Sequence, residues 1–342
     1  MNHYKANPKK FNIVYTPGAT RYAPFFALSL RKWSDCSFRL VANGCSLTEN
    51  RLLLKFCEKN PGFEFLALPV KTMMPHGQSL SYLQSQERSD TFCFMDSDIL
   101  ATGEFLAKLA PRLGQYAGVF SGSPVWLKDE EKVIPAGFQE MSGRYSRTDE
   151  NICLGSSYFA IYDNRVLTQT IQSTGINLNR YKWADIPTKY QDQLLQMGLR
   201  KGGYDTAKLL NLLLLGQGER LLFQESPALQ HVGGISTVAT DYSSLTFQVR
   251  VFLSQFSLFK RAPMPRAWSK SMRVSTAELL AMREIRKKKI KTCHYVGKLL
   301  RALFQERLLP MIPNFDDPQI RERIELLTAH IIALYKEFQE QV

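Results

Sequence analysis

Four short β-rich runs, separated by amphipathic segments, constrain this chain more than any other feature. Phe11 to Tyr15, Phe38 to Ala42, Phe63 to Leu68 and Thr91 to Met95 are each four to six residues of mostly apolar, β-prone sequence. Turn residues close the first two, Thr16-Pro17-Gly18 and Asn43-Gly44. The intervening segments predict helices over Tyr22 to Trp33, Glu49 to Lys59 and Gln78 to Arg88, with Pro61-Gly62 ending the second. Parallel strands need a crossover connection, and that connection is usually a helix. The expected fold class is therefore α/β: a mixed, mostly parallel sheet flanked by helices.

The fourth run leads straight into Asp96-Ser97-Asp98, followed by Ile99-Leu100. Side chains two apart on an extended backbone point the same way, so both carboxylates can meet one cation at the end of a strand. Hard divalent ions favour such oxygen clusters. In open α/β sheets, ligands occupy the crevice beyond the strands' carboxyl ends. The competing reading is a turn in which the acids cap backbone N–H groups.

Farther on, Thr102 to Leu113 predicts a helix and Tyr116 to Ser121 a strand, while residues 122–151 have no assignment. Ile152 to Tyr162 is a small-residue cluster, with Gly155 and Ser156, feeding an apolar strand; it reads either as a close approach of backbone to ligand or as an ordinary tight turn. Tyr204-Asp205-Thr206 opens an apolar helix to Leu215, with Asp205 or Thr206 as its N-cap, and a strand is expected over Arg220 to Gln224. His231-Val232-Gly233-Gly234 is either a metal or phosphate contact or a structural histidine beside a turn. No Gly-x-Gly-x-x-Gly follows the first strand and no Gly-x-x-x-x-Gly-Lys-Ser/Thr occurs, which argues against dinucleotide enzymes and P-loop ATPases.

The six cysteines form no C-x-x-C pair and read as reduced thiols, not zinc ligands. No apolar stretch approaches the roughly 20 residues that span a bilayer. The N-terminus lacks a hydrophobic signal region, so a cytoplasmic location is expected. The formal charge is +13, and residues 261–342 hold sixteen Lys or Arg against nine Asp or Glu. That region is expected as a basic helical appendage (261–342) to a catalytic domain (1–260). A capping box at Ser275-Thr276-Ala277-Glu278 starts one helix into Arg286-Lys287-Lys288-Lys289, and Tyr295, Leu299, Leu300 and Leu303 mark a second. Asp317-Pro318 starts a last helix whose stripe Ile324, Leu327, Ile331, Leu334 and Phe338 must be covered, by the catalytic domain or by a homodimer seam. The basic run is compatible with peripheral contact to an anionic membrane face. No segment resembles a nucleic-acid-binding motif.

Taken together, Phe92 to Asp98, Leu154-Gly155-Ser156, Tyr204-Asp205 and Pro227 followed by His231-Val232-Gly233-Gly234 resemble the family-2-like group of GT-A glycosyltransferases, over about residues 10–240. The resemblance implies a nucleotide-sugar donor whose diphosphate is bridged to manganese or magnesium by Asp96 and Asp98, with His231 completing the metal shell. It implies Asp205 as general base, with Asp192 in reserve, although Tyr204 stands where Glu is commoner. Thr16, Asn43, His76, Gly77, Ser97, Gly155 and Ser156 would line the donor pocket, Asn43 standing where many relatives carry Asp. The Gln-x-x-Arg-Trp signature of processive synthases is absent, which implies transfer of one sugar per encounter. The match of Asp205 to the family's base favours inversion over retention, and a glycan or lipid-linked hydroxyl is the expected acceptor. Two alternatives stand beside it: a haloacid-dehalogenase-type phosphatase using the two acids, and an inactive GT-A-like binding module with a basic tail.

Overall fold

A computed structural model describes residues 10–127, 158–199, 201–224, 226–235 and 276–339. The four predicted strands form as β1 (Lys10–Tyr15), β2 (Ser37–Ala42), β3 (Phe63–Ala67) and β4 (Thr91–Asp96). The helices between them are α1 (Ala23–Lys32), α2 (Leu47–Lys59) and α3 (His76–Gln86). Ser46 caps α2 in a reciprocal box with Glu49. Glu49 also accepts from the Gly18 N–H at 2.5 Å, which ties the turn after β1 to this helix.

Three further strands, β6 (Gly118–Phe120), β8 (Phe159–Asp163) and β9 (Leu221–Phe223), complete a seven-stranded sheet of order β3-β2-β1-β4-β8-β6-β9. Only β8 runs against its neighbours, so the sheet is mixed and mostly parallel, as expected. The strand order reverses between β1 and β4. In open α/β sheets the carboxyl ends of the strands at such a switch point are where ligands bind. Thr16 follows β1 there, and Asp96 ends β4.

Alternation along the strands sends side chains to two cores. Phe11, Ile13, Tyr15, Phe38, Leu40, Cys93 and Met95 pack under α1 and α2. Val14, Val41, Phe92, Phe94 and Tyr162 face Leu80 and Leu83 of α3 and the helices α4 (Asn164–Thr174), α5 (Thr188–Gln196) and α6 (Lys208–Gly216). Cys36, Cys93 and Cys293 are buried free thiols, as expected, and Cys153 lies outside the described residues.

Several expectations need correction. The helix over Thr102 to Leu113 does not form. Pro111 lacks the N–H that its middle would need, and Glu104 takes the N–H groups of Leu106 (2.8 Å) and Ala107 (2.9 and 3.0 Å) into a turn, leaving only a 3-10 turn at Ala110–Arg112. Neither Asp205 nor Thr206 caps α6. Its N-cap is Ala207, at φ +65° with no side-chain cap. The two helices expected between Ser275 and Pro310 are one, α7 (Thr276–Phe304), because no proline interrupts that stretch. Residues 122–157, apart from 122–127, and the Ser275 capping position lie outside the described residues.

The last helix, α8 (Pro318–Phe338), begins at Asp317, whose Oδ1 accepts from Gln319 N–H at 3.0 Å and Ile320 N–H at 3.3 Å. Its stripe of Ile320, Ile324, Leu327, Ile331 and Leu334 is covered by the chain itself, in one core with Val296, Leu299 and Leu300 of α7, with Phe25 and Phe26 of α1, and with Trp126 and Val232. Ile324 is fully buried at the centre of this core. Ile324→Ala is expected to cost about 2–5 kcal/mol. The readout is the urea midpoint of unfolding, and an unmoved midpoint would contradict this packing.

Candidate active site

The site is built where the main sheet hands the chain to a second, smaller sheet. Ser97 and Asp98 turn out of β4 into β5 (Ile99–Ala101), which pairs antiparallel with β10 (Leu229–His231); β7 (Ser123–Pro124) lies on the other side of β10. The register sets Ile99 opposite His231, and Val232 N–H donates to Asp98 O at 3.1 Å. His231 is thereby carried to the two acids. The carboxylates converge, though not through the two-residue repeat of a strand, because Asp98 sits in the turn.

His231 Nε2 lies 3.4 Å from Asp96 Oδ2 and 3.3 Å from Asp98 Oδ1. One ligand atom from each of the three residues falls within 4.8 Å of the others, a spacing that a single divalent ion can fill. Asp98 is buried and Asp96 half-buried at the crevice. The Asp98 Oδ2 accepts from Gly234 N–H (2.7 Å) and Ile235 N–H (2.9 Å), which fixes the carboxylate and leaves Oδ1 facing the cluster. Burial pushes the Asp98 carboxyl up, but the His231 hydrogen bond and charge, the Ile235 N–H and the Lys289 charge outweigh it and hold it below the usual range. Burial likewise lowers His231, and hydrogen bonding and charge from Asp96 and Asp98 reverse this, raising it to about 9. The opposite ring nitrogen, Nδ1, is buried with no hydrogen-bond partner among the described residues.

Tyr158 orients this histidine. Its ring stacks on His231 with centroids 4.3 Å apart, its hydroxyl donates to Gly122 O at 3.1 Å, and its carbonyl accepts from Asp96 N–H at 2.7 Å. Tyr158 carries no motif of its own in the sequence; its place between the small-residue cluster and the strand that the cluster feeds was the available signal.

The other candidates are arranged as follows. His76 opens α3, with Nε2 3.9 Å from Asp96 Oδ1. Gly77 lies against the 178–179 backbone, where a Cβ would come within 2.5 Å of Leu178 O. That same carbonyl accepts from Ala207 N–H at 3.0 Å, and Tyr204 pairs with Tyr181, so Asp205 sits half-buried on a segment pinned beside the start of α3. Asn43 spends its amide on Met74, donating to its carbonyl at 2.8 Å and accepting its N–H at 2.9 Å, and so secures the loop before α3. Thr16 is half-buried at the turn after β1. Ser97 forms the turn between the acids. Asp192 is exposed on the face of α5 opposite the buried Tyr190 and Leu194, and is not part of the cluster. Gly155 and Ser156 lie outside the described residues.

Lys208 begins α6, and its N–H reaches Asp205 O at 3.0 Å. Burial pushes its ammonium down to about 8, with the Asp205 charge acting the other way. From pH 8 up to its ordinary 10.5, the unfolded chain holds a proton that the folded chain has released, so stability rises with pH through this window. Lys208→Met abolishes that dependence. The melting temperature of the variant, taken relative to the parent, is expected to fall as pH rises from 8 to 10; a constant difference would contradict the assignment.

No family model and no curated protein matches the sequence. Among solved structures, the chain is similar to S. aureus TarS 1-349, with 13% identity over 98% of this chain and 92% of that one and a TM-score of 0.43. It is similar to the glycosyltransferase GlyE of Streptococcus pneumoniae TIGR4, with 12% identity over 71% and 52% of the two chains and a TM-score of 0.35. It is also similar to the bifunctional glycosyltransferase WbbM, with 11% identity over 66% of this chain, a TM-score of 0.36, and only 40% of WbbM spanned.

Proposed function

We propose that the chain is a metal-dependent glycosyltransferase of the GT-A type that moves one sugar from a nucleoside-diphosphate donor to a hydroxyl acceptor, with inversion. The observation that carries this reading is the convergence of Asp96, Asp98 and His231 at the switch point of a mostly parallel sheet. Asp98 Oδ1, Asp96 Oδ2 and His231 Nε2 would hold manganese or magnesium. Bound there, the ion would act as a Lewis acid on the departing diphosphate.

The chain's own groups supply the rest. Gly234 and Ile235 keep Asp98 in one orientation through two main-chain N–H groups, and the stacked Tyr158 ring holds the His231 ring in place. His76, at the start of α3, stands 3.9 Å from Asp96 and would contact the donor, while Gly77 lets the helix approach the Leu178–Asn179 backbone. Asp205, freed from capping α6, is the candidate base that takes the acceptor hydroxyl proton. Ala207, two residues on, stands at φ +65°, a conformation that costs a residue other than glycine roughly 1–2 kcal/mol, and such positions cluster at functional sites.

Asp98→Asn keeps an oxygen able to accept from Gly234 and Ile235 but weakens a hard-cation site. It is expected to abolish the manganese-dependent rise in melting temperature and the manganese-dependent release of nucleoside diphosphate from a sugar nucleotide, with unchanged far-ultraviolet circular dichroism. Full activity in Asp98→Asn would remove the metal assignment. Asp205→Asn is expected to lower kcat by about 10²- to 10⁴-fold while leaving donor binding intact, as read by calorimetry with the sugar nucleotide. A loss of donor affinity with unchanged kcat would reassign Asp205 to binding.

A further inference from the structure

The glycosyltransferase reading above leaves one charged group beside the cluster without a role. Lys289, on α7, is half-buried, and its Nζ lies 5.5 Å from the centroid of the Trp126 ring. Trp126 is buried and donates its indole N–H to Val232 O at 3.1 Å, so this ring is fixed to the residue that follows His231. Gly233 and Gly234, at φ +71° and +105°, let the lysine come close. A Cβ on Gly233 would stand 3.3 Å from both Lys289 Cε and His231 Cε1, and one on Gly234 would stand 3.7 Å from Lys289 Cε. Gly234 is also the residue whose N–H holds Asp98. Among the described residues Lys289 forms no ion pair and no hydrogen bond, and its neighbours Lys287 and Lys288 face solvent more fully or equally.

Charge counting gives this ammonium a purpose. Two carboxylates and one divalent ion sum to zero, so the loaded cluster alone does not offset the negative charge of a diphosphate. One more cation is needed nearby, and a partly desolvated ammonium acts strongly there. We propose that Lys289, delivered by the C-terminal helix α7, binds the diphosphate of the donor and of the departing nucleotide. One part of the basic run thus belongs to the crevice, not to a solvated helix face.

The test uses the full chain and inorganic pyrophosphate, titrated calorimetrically with and without manganese. Lys289→Met keeps the stem over Trp126 and removes the charge. It is expected to weaken manganese-dependent pyrophosphate binding by about tenfold, the scale of one charge-assisted contact, and to leave manganese binding alone unchanged or tighter. Lys289→Arg is expected to restore most of the affinity. Pyrophosphate binding unchanged in Lys289→Met, but lost in Asp98→Asn, would overturn the role of Lys289 and leave the metal reading standing. An equal loss of manganese and pyrophosphate binding in Lys289→Met would mean a disturbed cluster and would also overturn it. Absence of manganese-dependent pyrophosphate binding in the parent chain would overturn both.

Discussion

The pairing of β5 with β10 is the contact on which the site depends. Three residues on each strand set His231 opposite Ile99, and the Val232 N–H closes on the Asp98 carbonyl at 3.1 Å. A slip of one residue would turn the His231 side chain to the opposite face of the small sheet. Such a slip is opposed on both sides of β10: Gln230 and His231 also pair with Ser123 and Pro124 of β7, and the Trp126 indole is bonded to Val232 O. Main-chain geometry therefore specifies a side-chain cluster assembled from distant parts of the sequence.

Burying two carboxylates side by side is costly unless each is hydrogen-bonded or paired. Here the cost is offset from three directions. Gly234 and Ile235 donate to one oxygen of Asp98, His231 stands between the two acids, and Asp96 keeps partial contact with solvent at the crevice. The two glycines after His231 have a double function. Their left-handed φ values turn the chain so that N–H groups face Asp98, and their missing side chains leave room for Trp126, Lys289 and Cys293.

Much of this was legible in the sequence because it was local. The runs that became β1 to β4 are apolar, β-rich and punctuated by turns, so their positions followed from pattern alone, and the α8 stripe followed from its spacing. Other elements carried little signal. β5, β7 and β10 are two or three residues long and exist because they pair with one another. α4 was missed despite a clear start and stop, since Asp163 caps Arg165 and Val166 and Gly175 ends the helix at φ +71°. The apolar content of Thr102 to Leu113 argued for a helix, but Pro111 and the Glu104 turn prevailed, with Phe105 and Leu109 still buried. Asp96, Asp98 and His231 could be named from motif order. Tyr158 and Lys289 could not, because their importance lies in what stacks or leans on His231 and the glycines after folding.

The small sheet also explains why the C-terminal helices matter to the site. A sheet of three strands this short has little stability of its own in water and needs a covering surface. That surface is the core that Leu100, Val125, Trp126, Val232 and Ile235 share with Ile285, Cys293, Val296, Leu299 and Leu300 of α7 and with the buried stripe of α8. The Arg323 guanidinium of α8 adds a hydrogen bond to the Leu127 carbonyl, just past β7. Positions of His231 and Asp98 relative to each other are therefore set partly by helices that contribute no ligand to the cluster. Loosening α8 acts on the site through the packing of α7 against Gly234 and Trp126, so the geometry of Asp96, Asp98 and His231 depends on this core and not on the core beneath α2.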